Sequence, residues 1–150
     1  MLLANLFEYF PTLSKSWHQP DIATKLETLR DIRRVITGAL EIERAAKTIG
    51  SSLQASVTVY VSKELADLLK DHDLAELGIT SGAQILIAQP PAGAFTLEEV
   101  LHVGVIVNLA QGNKCVRCWK ILEEVGKQHY PDLCERCTSV VKQLPTSEVS

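Results

Sequence analysis

The four cysteines are the residues whose types and spacing most clearly indicate chemistry. They are Cys115, Cys118, Cys134 and Cys137, and they form two Cys-x-x-Cys pairs separated by 15 residues. Each pair can direct two thiolates at one centre from a tight turn, and two such turns complete a tetrahedral four-cysteine zinc site. Because four protein ligands leave no position for water or substrate, the spacing predicts one structural Zn²⁺ rather than a catalytic one.

Different chemistry for the cysteines remains open but is less well supported. Two disulfides would need an oxidising compartment, for which nothing in the sequence argues. A thioredoxin-like redox pair needs one motif beside a strand–helix unit, not two matched motifs, and a catalytic zinc enzyme needs an open coordination position. His129 could replace a thiolate, but with four cysteines present we interpret it as a loop histidine. Nothing groups the other histidines, His18, His72 and His102.

Basic residues concentrate at the two ends of the chain. The overall net charge is −3, with +1 over residues 1–49, −5 over residues 50–110 and +2 over residues 111–142. An anionic partner would therefore contact the ends rather than the centre. Basic and aromatic residues surround the cysteines, a combination that can bind phosphates and stack a base. The same basic groups could instead neutralise a zinc–thiolate centre, and Trp119, directly after a ligand, is better explained as core.

The periodicity predicts an α+β fold with a long N-terminal helix, a small mixed α/β domain and a C-terminal, zinc ribbon-like module built on the four cysteines. From residue 21 to 48, apolar residues recur every three or four positions, and Gly50 is a natural stop. The stripe consists of Ile22, Leu26, Leu29, Ile32, Ile36 and Leu40. A helix this long with one apolar stripe needs partner helices, and the chain offers few, so the sequence indicates a piece of a larger protein.

Four segments follow from these patterns: residues 1–50, 51–110, 111–142 and a tail, 143–150. The middle segment alternates in hydrophobicity, which predicts strands near residues 57–61, 84–88 and 102–109, with a helix over residues 63–71 that Ser62 caps. The third segment is expected to have a small core of its own. That core would contain Val116, Trp119, Ile121, Leu122, Val125 and Leu133.

The chain contains no apolar run near the roughly 20 residues that cross a bilayer, and its apolar start lacks a preceding basic stretch. We therefore expect no membrane span and no secretory signal. The apolar start is expected to pack either on the chain's own helix or on residues of a longer protein.

Two separated segments resemble bacterial isoleucyl-tRNA synthetases. Residues 34–55, which include Ala-Leu-Glu-Ile-Glu-Arg and Ile-Gly-Ser-Ser-Leu-Gln-Ala, resemble the end of that family's anticodon-binding helical domain. Gly-Asn-Lys-Cys-Val-Arg-Cys-Trp at 112–119 and Cys-Glu-Arg-Cys at 134–137 are similar to its C-terminal zinc module. The resemblance covers residues 5–142, and Gln54 and Asn113 stand where glutamate is usual.

The resemblance implies a cytoplasmic, tRNA-binding C-terminal portion of an ATP-dependent isoleucine–tRNA ligase. The family's catalytic and editing domains would lie N-terminal to it, and without them this chain alone should have no catalytic activity. The implied partners are isoleucine tRNA and those N-terminal domains. The predicted RNA contacts are Lys114, Arg117, Trp119, Lys120 and Arg136, with Arg44 and Lys47. The alternative is a zinc-stabilised protein-interaction module that docks on other domains.

Overall fold

A computed structural model describes residues 12–144, so the interpretations of the apolar start (residues 1–11) and of residues 145–150 lie outside the described residues. One long helix leads into a strand, two short helices, a run of five strands and a final helix. The helices are α1 (Pro20–Ala45), α2 (Lys63–Leu69), α3 (Leu74–Gly78) and α4 (Glu135–Gln143). The strands are β1 (Ala55–Val61), β2 (Gly82–Ile87), β3 (Phe95–Leu97), β4 (Val100–Leu109), β5 (Asn113–Lys114) and β6 (Ile121–Leu122).

A four-stranded mixed sheet in the order β2-β1-β4-β3 forms the centre of the fold. Strands β1 and β2 run parallel, and α2 and α3 connect them, whereas β1–β4 and β3–β4 are antiparallel. Alternate residues of β1 are buried, as the alternating sequence predicts. The predicted mixed α/β architecture and the long N-terminal helix are therefore confirmed. We call α1, α2, α3 and this sheet the α/β unit.

Helix α1 packs on the sheet through the second half of its apolar stripe. Leu29, Ile32, Ile36 and Leu40 are buried in one core with the valines of β1 and β4. The expectation that α1 needs partner helices is wrong for this half, because the apolar face of the sheet covers it. Residues 20–27 are all exposed, and the first two members of the predicted stripe lie there.

Helix α1 ends earlier than its apolar pattern predicts. Its last residue is Ala45, and Lys47, with φ 61°, adopts the left-handed conformation that closes the helix. The amide of Thr48 donates to the carbonyl of Glu43 at 3.0 Å. The prediction that Gly50 stops the helix is therefore wrong. The early turn brings Ile49, 2% exposed, into the core of the α/β unit.

The predicted strands and the helix after Ser62 are present, with shifted ends. Ser62 Oγ accepts from the amide of Leu65, and α2 ends at Leu69 rather than at residue 71. Strand β4 begins two residues before the predicted position, at Val100. The short elements α3 and β3 were not predicted. Within the described range, no helix is both long and apolar enough to cross a membrane.

The C-terminal segment forms a second, much smaller core. This segment, which we call the four-cysteine module (residues 111–142), contains the β5–β6 hairpin and most of α4, a helix that the sequence patterns did not predict. Its buried hydrophobic residues are Cys115, Val125, Leu133, Cys134 and Cys137, and Thr138 is buried as well. Two of the predicted core residues, Val116 and Trp119, are instead 62% and 59% exposed. A ribbon-like fold for this module stays a prediction.

Candidate metal centre

The four cysteine sulfurs converge on one point. All four Sγ atoms lie within 4.8 Å of one another, and the Sγ atoms of Cys118 and Cys134 are 3.7 Å apart. A tetrahedral zinc ion with Zn–S bonds of about 2.3 Å requires S···S separations of about 3.8 Å, so the donor set fits this metal. All four cysteines are free, whereas a disulfide would bring two sulfurs to about 2.05 Å. The disulfide alternative therefore does not describe this centre.

Two different local structures present the two cysteine pairs. The first pair follows β5 on a turn, in which the amide of Cys115 donates to the carbonyl of Lys120 and that of Trp119 donates to the carbonyl of Cys115, both at 2.9 Å. The second pair begins α4, with Cys134 as its N-cap and Cys137 in its first turn. The free amides and positive dipole end of a helix N-terminus favour thiolates there.

Hydrogen bonding and burial shift the thiol pKa values in opposite directions. Burial disfavours the Cys115 thiolate, but the backbone amides of Cys118, Cys134 and Arg117 outweigh it and lower its pKa to about 6. Burial raises the pKa of Cys118, and burial together with the neighbouring sulfurs raises that of Cys134 to about 12. The backbone amides therefore favour a thiolate at Cys115, and a bound cation would be needed to hold several thiolates so close together.

Four of the seven predicted RNA-contact residues, all of them basic, already pair with a carboxylate or a sulfur of the protein. The ammonium group of Lys120 and the guanidinium group of Arg136 both contact the carboxylate of Glu76, in α3. Arg117 Nη1 lies 3.7 Å from Cys137 Sγ and so helps to neutralise the thiolate cluster. Arg44, in α1, pairs with a glutamate one turn before it and donates to a serine hydroxyl.

Lys114 and Trp119 form an exposed pair beside the first two cysteines. The ammonium nitrogen of Lys114 lies 4.5 Å from the centroid of the Trp119 ring, a cation–π contact. The indole nitrogen donates to the carbonyl of Val116 at 3.2 Å. The interpretation of Trp119 as a core residue is therefore wrong, because its backbone adopts φ 68° and its ring lies on the surface. Lys47 lies away from the four-cysteine module in the chain, two residues after the end of α1.

Comparisons with known proteins agree with this centre. Residues 112–140 match a family described as a zinc finger found in FPG and IleRS. The chain is 44% identical over 136 residues to an isoleucine–tRNA ligase of Bradyrhizobium diazoefficiens, with 89% of this chain and 14% of that protein covered. The chain is similar to the C-terminal region of bacterial isoleucine–tRNA ligases.

Two more isoleucine–tRNA ligases show the same degree of similarity. The ligase of Rhodopseudomonas palustris is 44% identical over 139 residues, with 89% of this chain and 14% of that protein covered. The ligase of Brucella abortus is 42% identical over 139 residues, with 91% of this chain and 14% of that protein covered. The chain thus spans 14% of the length of these relatives. The resemblance predicted from the sequence motifs is confirmed, and the matched family and the clustered thiols together support zinc binding.

Sequence patterns did not identify two residues that connect the ligase-like four-cysteine module to the α/β unit. These are Glu76, which contacts Lys120 and Arg136, and Ser81, whose Oγ accepts from the amide of Ile121 at 2.7 Å. Both lie 40 or more residues from their partners along the chain. No spacing or composition signal marks such pairs, because only the folded structure brings them together.

Gly112→Ala is expected to destabilise the four-cysteine module. Gly112 has φ +114°, and a Cβ atom there would lie 2.3 Å from the backbone carbon of Leu122. The strained backbone alone costs roughly 1–3 kcal/mol, and the clash adds to that cost. Competition with a chromogenic chelator should show weaker metal retention. Gly93→Ala is the matched control, because a Cβ at Gly93 meets nothing within 4 Å. Equal retention by both variants would contradict the prediction.

Proposed function

We propose that this chain is the tRNA-binding, zinc-stabilised portion of a bacterial, cytoplasmic isoleucine–tRNA ligase. In this proposal one Zn²⁺, held by Cys115, Cys118, Cys134 and Cys137, has a purely structural role. The closed set of four converging sulfurs and the names of the similar ligases support it. The catalytic and editing domains would belong to the rest of the longer protein. This chain would contribute no catalytic group and would assist attachment of isoleucine by holding the tRNA.

In the same proposal the chain has three functional segments. Residues 1–50 are the end of the anticodon-binding helical domain, residues 51–110 are a small α/β domain and residues 111–142 are the zinc module. A tail, 143–150, follows them. The expected partners are isoleucine tRNA and the N-terminal catalytic domains.

The observation that best supports RNA binding is the exposed pair of Lys114 and Trp119. Trp119 as a residue is 59% exposed, so its indole ring can stack on an unpaired base, while the ammonium group 4.5 Å from the ring centroid can bind a neighbouring phosphate. The remaining predicted contacts on the module contribute less in this proposal. Lys120 and Arg136 already pair with Glu76, and Arg117 with a cysteine sulfur.

Trp119→Ala is expected to weaken tRNA binding about 5- to 150-fold, since stacking of one base on an aromatic ring contributes roughly 1–3 kcal/mol. The measurement is fluorescence anisotropy with labelled isoleucine tRNA and with a non-cognate tRNA. Trp17→Ala is the matched control, because Trp17 is also exposed, at 71%, but lies before α1. A protein preparation with one metal ion per chain, checked by elemental analysis, is used throughout.

The salt dependence provides a second test of the same proposal. Phosphate contacts should make the affinity for tRNA fall steeply between about 50 and 200 mM salt. Lys114→Gln should reduce the slope of log affinity against log salt by about 1. Absent binding, or equal and salt-insensitive binding of both tRNAs, would contradict the proposed function.

Exposed apolar residues before α1 and in its first turns favour a second function, that of a docking module for other domains. Leu13, Trp17, Ile22 and Leu26 are each at least half exposed. Lys114→Glu separates the two functions. If tRNA binding is unchanged in this variant while Ile22→Asp with Leu26→Asp abolishes association with the N-terminal portion of a ligase, docking is the main role and RNA is peripheral.

A further inference from the structure

Ser81 connects the four-cysteine module to the α/β unit through a single hydroxyl group. The Ser81 side chain is one of few buried polar groups among the described residues, and the residue is 5% exposed. Its Oγ donates to the carbonyl of Leu53 and accepts from the amide of Ile121 at 2.7 Å. Its own amide donates to the carbonyl of Ala55 at 3.0 Å. Ser81 is thus anchored at the start of β1, and it offers its free lone pair to strand β6 of the module.

Glu76 makes the second connection, and it reaches both halves of the metal centre. Its Oε1 lies 2.8 Å from Lys120 Nζ, two residues after Cys118, and 3.2 Å from Arg136 Nη1, between Cys134 and Cys137. These two basic groups lower the pKa of Glu76, Lys120 more strongly than Arg136. The Lys120 side chain is 16% exposed and that of Glu76 is 52% exposed, so solvent still screens part of this ion pair.

These contacts define one orientation of the module. The covalent link between β4 and β5 is only residues 110–112, and a single short link still permits rotation. The module is attached at three residues: Ile121 in β6, Lys120 after the first cysteine pair and Arg136 inside the second pair. These residues do not all lie on one element. Together they hold the module against α3 and the start of β2. If the module loses its metal, both attachment points on the cysteine turns lose their positions.

We propose that Ser81 and Glu76 are positioning residues that hold the four-cysteine module in one orientation on the sheet. They thereby determine the direction in which Lys114 and Trp119 face a partner. The consequence for RNA affinity rests on the function proposed above, whereas the orientation itself does not. This role differs from metal binding, because neither residue contacts a sulfur.

The experiment compares Ser81→Ala and Glu76→Gln with the unchanged protein, each loaded with one metal ion per chain. NMR measures the hydrogen exchange of the Ile121 amide and the residual dipolar couplings of module amides relative to sheet amides. Loss of the Ser81 acceptor should accelerate exchange at Ile121 at least about fivefold, in line with the loss of one hydrogen bond. In the variant with both changes, the module should no longer share one alignment with the sheet. The metal-to-protein ratio should stay unchanged.

Two matched controls remove similar groups away from this interface. Glu99→Gln removes an exposed ion pair with Arg34, and Ser139→Ala removes a hydroxyl that bonds only within α4. Both controls should keep the original alignment and the original exchange rate at Ile121. Ser81→Thr, which keeps the hydroxyl, should restore the slow exchange that Ser81→Ala loses.

The proposal is overturned if the double variant keeps the module alignment and slow Ile121 exchange, or if it loses its metal and unfolds like a ligand variant. Titration with isoleucine tRNA is the separate readout. If tRNA binds the unchanged protein and the double variant equally well, positioning has no part in RNA binding. If tRNA binds neither, while the alignment changes as expected, the proposed function fails and the positioning role stands.

Discussion

Removal of the metal is expected to unfold the four-cysteine module and leave the α/β unit folded. Three of the five residues in the module's buried hydrophobic cluster are cysteines, and only Val125 and Leu133 add other apolar side chains to it. Its two strands contain two residues each. A core this small cannot offset the conformational entropy of about 30 residues. The free energy of zinc binding, about 10–16 kcal/mol in zinc-finger peptides, would therefore be the folding free energy of the module.

NMR during chelation measures this result residue by residue. With a strong chelator, amide signals of the module should collapse to the unfolded range, while those of β1 and β4 keep their positions. Cys137→Ser should give the same spectrum without chelator. Ser139→Ala, a change in the same helix that touches no ligand, should behave like the unchanged protein. A module that stays folded at zero metal content would contradict both the prediction and the structural role of the ion.

The cysteine cluster could be predicted from sequence because a metal site imposes local rules. Two thiolates can reach one ion only from nearby chain positions, so the Cys-x-x-Cys spacing survives as a readable pattern. The partners around the cluster follow no such rule. Trp119 follows a ligand directly, yet its left-handed backbone places the ring at the surface. That conformation depends on how the whole turn closes, which spacing does not encode.

Hydrophobic periodicity predicted the elements better than their environments. The stripe of α1 runs evenly from Ile22 to Leu40, but the sheet covers only its second half. Periodicity reports that one face is apolar, and it does not report where the neighbouring surface ends. Of the elements that the sequence patterns missed, α3 and β3 have five and three residues and β5 and β6 two each, which is too short for any period to appear. The nine residues of α4 were also missed. Ser81 and Glu76 act through contacts distant in sequence, so no local pattern reveals them.

The uneven burial of this stripe leads to the second large effect. Ile36→Ala is expected to destabilise the α/β unit by about 2–5 kcal/mol. Ile36 is 0% exposed and belongs to the shared core of α1 and the sheet. A Cβ added to Gly78 would lie only 2.9 Å from Ile36 Cγ2, so α3 also packs tightly against this side chain. Removal of three carbon atoms therefore leaves a cavity between α1 and α3.

Ile22→Ala is the matched control because it makes the same substitution in the same helix. Ile22 is 50% exposed, so its loss removes little buried surface, and alanine's higher helix propensity offsets part of that loss. Urea unfolding is followed by the NMR signals of β1. The urea midpoint should fall for Ile36→Ala, whereas the free energy of unfolding of Ile22→Ala should stay within about 0.5 kcal/mol of that of the unchanged protein. The metal content should be unchanged in both. Because helix propensity cancels in this comparison, the difference measures how strongly the sheet holds α1. Equal unfolding curves would mean that the sheet does not hold the second half of α1.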